Sequence, residues 1–226
     1  MEMQKPPNNI TKLPLARRVL AAILRSFFNL LYHQMAWTYD WVAAIVSVGS
    51  WKTWVEEIAN YVEGPRALEI GHGPGYLQYL LIKKGITTFG VDESAEMSRI
   101  ARKRLFSLGL NLNLTRGDAL NLPFAEQSFN QVVLTFPSEF ILNPEALQEI
   151  HRVLVDAGIT VILPLGWVTG HKPAERLAAW INHLTNEAPE WNEKALDPWK
   201  GGGFDISWEM VDFNASKILV IKMVKL

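Results

Sequence analysis

The 226-residue chain contains no cysteine, which excludes disulfides, thiolate metal sites and a cysteine nucleophile, and suits a reducing compartment. An excess of either charge is also missing: 22 Lys and Arg stand against 23 Asp and Glu, for a net charge of −1. Nothing in that balance attracts nucleic acid, and none is expected as a partner. Long apolar runs are absent too. The nearest candidate, residues 13–32, places Arg17 and Arg18 ahead of an apolar stretch that Arg25 and Asn29 interrupt. Its uninterrupted apolar length falls far short of the roughly 20 residues that span a bilayer. No small-residue cleavage site follows to mark a secretory leader. The reading is a cytoplasmic protein with an N-terminal amphipathic helix, no metal, and a composition (49% hydrophobic, 20% charged) ordinary for a globular chain. The length suits one sizeable core.

Residues 1–12 lack periodicity and read as a loose tail. Two helical stretches, 15–32 and 37–61, follow; with the tail they make an N-terminal cap, 1–63, ahead of a core over 64–226. Gly64-Pro65 punctuates the join. From Arg66, short apolar runs alternate with amphipathic segments. Strands are expected at 67–70, 87–91, 110–114, 132–136 and 159–163, and helices over 75–84 and 94–108. A further helix opens with Asn143 as N-cap and Pro144 at the first helical position. This alternation predicts an α/β fold, a parallel sheet with helices on both faces. The last two strands, 207–213 and 217–225, leave no room for a helix between them, so they form an antiparallel hairpin.

The chemistry concentrates in Glu69-Ile70-Gly71-His72-Gly73-Pro74-Gly75, between the first strand and the first helix. Glycines here serve a turn whose backbone angles resist side chains and let a ligand approach the main chain. The helix that follows presents free N–H groups. A nicotinamide-dependent enzyme uses G-x-G-x-x-G in the same place, whereas the spacing here is G-x-G-x-G, with Pro74 where a pyrophosphate would want an N–H. Glu69 would repel a pyrophosphate but can accept hydrogen bonds from the ammonium of a methionine moiety. Asp92 closes the second strand 23 positions beyond Glu69, where an acid can hold both ribose hydroxyls. Gly117-Asp118-Ala119 follows the third strand; its carboxylate can take the exocyclic amine of adenine, and Ala119 lets the ring lie flat. Taken singly, Glu69 and Asp118 also fit strand-end caps, and Gly73 and Gly75 fit a tight turn.

As an ordered set, Glu69–Gly75, Gly90-Val91-Asp92-Glu93-Ser94-Ala95-Glu96-Met97 and Gly117-Asp118-Ala119-Leu120-Asn121-Leu122-Pro123-Phe124 resemble successive motifs of the class I S-adenosyl-L-methionine (SAM)-dependent methyltransferases. Ser128-Phe129-Asn130-Gln131-Val132-Val133 and Arg152-Val153-Leu154 continue the likeness, which covers about residues 66–164. It implies a Rossmann-like seven-stranded sheet, SAM as cofactor, and a cofactor site of Glu69, Gly71, His72, Gly73, Gly75, Asp92, Glu93, Met97, Asp118, Ala119 and Phe136. Two positions depart from the pattern. Asn130 stands where the family usually has aspartate, a change expected to weaken an interaction near the methionine end. Asp156-Ala157-Gly158 replaces the usual lysine-proline-glycine-glycine turn.

On the acceptor side the fourth strand ends in Leu134-Thr135-Phe136-Pro137-Ser138-Glu139-Phe140. Methyltransferases of base amino groups usually carry an Asn/Asp-Pro-Pro-aromatic run here, and its absence counts against a nucleobase. Phe136 and Phe140 suggest an apolar wall, though both fit ordinary core. His33, His72, His151 and His171 are conceivable bases; for His72 an anchoring role is an equal alternative. Tyr39-Asp40, Ser47-Val48-Gly49 and Trp54 resemble the N-terminal motif of ubiquinone and menaquinone C-methyltransferases, which implies that Tyr39 lies near the methionine end or the acceptor. His33, Tyr39 and Phe140 are thus the acceptor candidates, and the acceptor itself a small molecule, apolar or aromatic. Residues 1–34 carry Lys5, Lys12, Arg17, Arg18 and Arg25 against Glu2. A basic amphipathic helix of this kind packs on its own domain, on a second subunit of a homodimer, or on an anionic membrane surface. Beside transfer stand two other readings, a SAM-binding protein without transferase activity and a nicotinamide-dependent oxidoreductase.

Overall fold

In the computed structural model, residues 49–110, 113–169, 193–213 and 215–226 are described. Their elements in chain order are α1 (Trp51–Asn60), β1 (Arg66–Ile70), α2 (Tyr76–Lys83), β2 (Thr87–Asp92), α3 (Ala95–Ser107), β3 (Leu114–Arg116), β4 (Phe129–Thr135), α4 (Pro144–Val153), β5 (Leu154–Val168), β6 (Phe204–Phe213) and β7 (Ser216–Lys225). Short 3-10 turns lie at Glu139–Leu142 and Glu193–Trp199. The seven strands form one sheet in the order β3-β2-β1-β4-β5-β7-β6. β1 pairs in parallel with β2 and β4, and β7 enters antiparallel between β5 and β6. The α/β class, the mostly parallel sheet and the C-terminal hairpin are as expected.

Alternation along the strands divides the core. Leu68 and Ile70 of β1, with Val132 and Leu134 of β4, face α4 residues Leu147, Ile150 and Val153. Ala67, with Val133 of β4, faces the other way, onto Trp54, Val55 and Ile58 of α1 and Leu77 and Leu81 of α2. The same alternation puts Glu69 on the α1 and α2 side.

Helix ends follow local chemistry. Gly75 (φ +79°) caps α2, so the helix begins at Tyr76. Ser94 caps α3, its hydroxyl accepting the Met97 N–H at 3.2 Å. The Asn143 side chain accepts from Glu145 N at 3.0 Å, with Pro144 opening α4.

Other boundaries differ from expectation. β4 starts at Phe129, ahead of the apolar run, because the Gln131 amide is consumed in the interior: its oxygen accepts from Glu63 N (2.6 Å) and Gly64 N (2.7 Å). β5 spans 15 residues, about three times the expected run, because it starts at once after α4 and continues past a bulge along β7. β3 is cut to three residues and excludes Leu110. The stretch expected to be helical over 37–61 is helical in its described part only from Trp51, after a turn at Gly49 (φ +81°). The helix expected over 15–32 and residues 37–48 lie outside the described residues. No described helix is long and apolar enough to cross a membrane.

A Cβ on Gly75 would stand 2.9 Å from the Ala101 Cβ, in a left-handed conformation. Strain and overlap together should make Gly75→Ala cost about 2–4 kcal/mol. At Gly85 (φ +81°) nothing lies within 4 Å, so Gly85→Ala should cost about 1–2 kcal/mol, from strain alone. Urea denaturation of the two variants reads the difference.

Candidate active site

The C-terminal ends of β1, β2 and β4 meet where α2 and α3 begin, the crevice in which open α/β sheets bind ligands. The glycine-rich loop is fixed there by main-chain bonds. Gly71 N donates to Val91 O at 2.8 Å, and Gly75 N to His72 O at 3.0 Å. Gly71 and Gly73 have φ of +74° and +50°, and a Cβ on either would meet nothing within 4 Å. Their missing side chains therefore leave open space for a ligand rather than relieve a clash. Asp92 holds the loop from the opposite strand. Its Oδ2 accepts the Gly73 N–H and its Oδ1 the Ser94 N–H, each at 2.8 Å. Arg104 adds a bond to Pro74 O at 2.9 Å.

A cavity of about 330 Å3 opens over this loop. Its lining brings together Gly71, Gly73, Asp92, Glu93, Met97, Asp118, Ala119, Phe136 and Phe140, all expected from the sequence. Ser94, Gly117, Thr135 and Ser138 also line it; they belong to the quoted motifs, but their small or hydroxyl side chains carry no separate signal of a ligand role. Asp118 keeps its turn closed by accepting Leu120 N–H at Oδ1, 2.9 Å. Phe136 holds a left-handed φ of +51°, strained for a residue with a side chain. Its N–H donates to Leu163 O at 2.7 Å, and its ring centroid lies 6.1 Å from that of Trp54.

Glu69 and His72 line a second, smaller cavity of about 30 Å3 that shares Gly71, Gly73 and Thr135 with the first. It has room for a water-sized group. The Glu69 carboxylate is buried, and Gln78 Nε2 donates to its Oε2 at 2.8 Å and to Phe89 O at 3.2 Å. Burial pushes the carboxyl up to about 8; the Gln78 bond opposes this and the negative Asp92 adds to it. Gln78 was not singled out from the sequence, although an amide between Leu77 and Leu80-Leu81 on an apolar helix is a signal of buried polar work. The His72 ring lies beneath the loop. Its Nδ1 donates to Gly73 O at 2.8 Å, which leaves Nε2, 3.4 Å from Ser98 Oγ, as an acceptor. Burial lowers its pKa, against the pull of Asp92. Gly75 sits behind the loop against α3.

Other candidates lie elsewhere. His151 packs edge-on to Phe204, at 5.3 Å between centroids, and lines neither cavity. His33, Tyr39 and His171 are outside the described residues. The expected cost of Asn130 needs correction. Asn130 is the second residue of β4, beside Gly64 and Gly158, while the cavity adjoins Thr135 at the strand's other end. Five residues of strand, about 16 Å, separate the two.

Residues 67–158 match the family model described as a methyltransferase domain. The chain is 33% identical over 217 residues to the demethylmenaquinone methyltransferase of Thermotoga maritima, covering 84% of this chain and 93% of that one. It is 32% identical over 143 residues to the ubiquinone/menaquinone biosynthesis C-methyltransferase of Blochmanniella floridana, covering 59% of this chain and 56% of that one. The match thus spans little more than half the length of the ubiquinone/menaquinone biosynthesis relatives. Among solved structures, phosphoethanolamine N-methyltransferase 2 of Haemonchus contortus in complex with SAM has a TM-score of 0.61 at 17% identity. That similarity covers 87% of this chain and 59% of that one, and at such identity it speaks for the fold.

The raised Glu69 pKa carries a pH dependence. Between the ordinary carboxyl range near 4.5 and about 8 the folded protein keeps a proton that the unfolded chain has released. Stability therefore falls as pH rises through that window and levels off above it. Urea denaturation at pH 5 and pH 8.5 should show this loss in the native chain and a smaller one in Glu69→Gln.

Proposed function

Because the chain belongs to the class I SAM-dependent methyltransferases, we propose that it binds SAM in the cavity over the glycine loop and transfers its methyl group to a small apolar or aromatic acceptor of quinone-like type. The carrying observation is the convergence of open-faced Gly71 and Gly73, the Asp92 carboxylate, Asp118-Ala119 and Phe136 on one cavity.

The residues fit the group. Each Asp92 oxygen has spent one lone pair on the backbone and keeps another for a ribose hydroxyl. Asp118 has Oδ2 to offer an exocyclic amine, beside the small Ala119. Glu69, held by Gln78, would take an ammonium through the smaller cavity. Asp92, Glu93 and Asp118 around one cavity, with Pro74 lacking an N–H and Glu69 able to give up its proton to a cation, suit a cationic ligand and disfavour a pyrophosphate. When bound, SAM supplies a methyl group on cationic sulfur, an electrophile that requires alignment with its acceptor. Thr135, Phe136, Pro137 and Phe140 would form the wall that aligns the acceptor and keeps water away. The quinone-like class is supported by the names of the relatives and by the uncharged chemistry of this wall. Tyr39 and His33 are proposed to complete the acceptor side. The basic segment 1–34 is proposed to reach a lipid-like acceptor at an anionic membrane surface, or to pair with a second copy.

Calorimetry with S-adenosylhomocysteine should give binding in the micromolar range usual for such ligands, and Asp92→Ala/Asp118→Ala should abolish it. Retained affinity would show that the nucleoside lies elsewhere. Because an ammonium favours ionised Glu69, binding at pH 7 should release a proton, seen as buffer-dependent heat that Glu69→Gln suppresses. Labelled SAM offered with quinols bearing an unsubstituted ring carbon should label them; transfer only to amines would refute the acceptor class.

A further inference from the structure

The turn that carries Asp118 and Ala119 to the cavity has little sheet to hold it, since β3 is three residues long and forms the sheet's edge. We infer that the Glu149–Arg152 pair of α4 is a positioning device for this turn, setting affinity for the nucleoside without touching it. The inference rests on the SAM reading above.

Arg152 and Glu149 line neither cavity. Glu149 Oε2 accepts the Leu122 N–H at 2.7 Å. Arg152 donates through Nη2 to Leu122 O at 3.0 Å and through Nη1 to Phe124 O at 2.7 Å. Both main-chain groups of Leu122 are thus held by one ion pair, itself closed by Nε to Oε1 at 2.7 Å and Nη2 to Oε2 at 2.6 Å. Arg152 suits the task because its planar fork reaches two carbonyls and a carboxylate at once, which an ammonium on a flexible stem does not.

Leu122 is joined to Asp118 by a turn with no slack. Asn121 N donates to Asp118 O at 3.2 Å, Leu120 N donates to the Asp118 carboxylate, and Asp118 and Asn121 form a β-bridge. At its start, a Cβ on Gly117 would come within 2.9 Å of Val91 and 3.3 Å of Pro123. The clamp at Leu122 therefore fixes where the Asp118 carboxylate stands. α4 also steadies the start of β4, where Gln127 N and Ser128 N donate to Arg152 O and Val153 O. Those bonds use main chain and survive a change of side chain, so the side-chain clamp can be tested separately.

Arg152→Met keeps the stem and removes the donors. It should weaken S-adenosylhomocysteine and adenosine alike by about tenfold, which is about 1.4 kcal/mol. Acceptor KM, and kcat at saturating SAM, should stay within about twofold, and Arg152→Lys should recover part of the affinity. Amide exchange at Leu120 and Asn121 should quicken. Glu149→Gln, which keeps an acceptor for Leu122 N–H but removes the charge, provides a second variant if Arg152→Met fails to fold. Its loss should be smaller, about threefold, in the same two ligands. A lowered Tm with unchanged adenosine affinity would overturn the inference and leave the pair purely structural. A loss confined to S-adenosylhomocysteine would also overturn it, by placing the effect on the methionine side. A native chain that binds neither ligand would instead remove the SAM reading itself, and the inference with it.

Discussion

The Asp92 carboxylate accepts one N–H from the loop after β1 and one from the N-cap of α3, and the cavity depends on that pair of bonds. Glycines at 71, 73 and 75 supply the left-handed angles the loop needs, but glycine is also the residue that loses most freedom when ordered. A loop of this composition holds its shape only if something outside it takes its donors. Asp92 does so from the neighbouring strand, while Gly71 N–H goes to Val91 O. Ser94, held by the same carboxylate, in turn caps α3 through Met97. Floor, helix start and strand end are thus tied at one point, and that point still has lone pairs facing the cavity.

A second consequence follows from the strand period. Residues two apart share a face of β1, so Leu68 and Ile70 join the α4 side while Glu69 turns toward α1 and α2. One strand therefore contributes to two compartments: main chain and Ile70 to the large cavity, and the carboxylate to the small one. Gly71, Gly73 and Thr135 form the partition between them. In the proposed reading, SAM lying across it would present its nucleoside to exposed Asp118 and its cationic end to the buried Glu69, whose proton it would displace.

Much of this was legible in the residues. Apolar runs separated by amphipathic helices predicted a parallel sheet, Asn143-Pro144 marked a helix start, and the closely spaced strands expected at 207–213 and 217–225 could only form a hairpin. The spacing of Glu69, Asp92 and Asp118 pointed to the crevice over the glycine loop, whose two cavities these residues line. Less legible were positions whose polar side chains are satisfied from a distance. Gln131 hid the start of β4 because its partners, Glu63 and Gly64, lie 68 and 67 residues earlier. Gln78 lies on an apolar helix, and only its bond to Glu69 on β1 shows what the amide serves. Asn130 belongs to a motif associated with the ligand, yet it stands at the far end of its strand from the cavity.

The sequence by itself determined the strand and helix alternation, the glycine turn, the caps and the acidic character of the site, since each depends on backbone angles or side chains within a few residues. Only the tertiary structure decided how the carboxylates are used. Asp92 became both a brace and a set of acceptors once β2 came beside β1. Glu69 became a buried, proton-holding acid once α1 and α2 covered it. Leu122 acquired its clamp once α4 packed against the sheet. Hydrogen bonds and desolvation act through space, and which groups share that space is set by the pairing of distant strands.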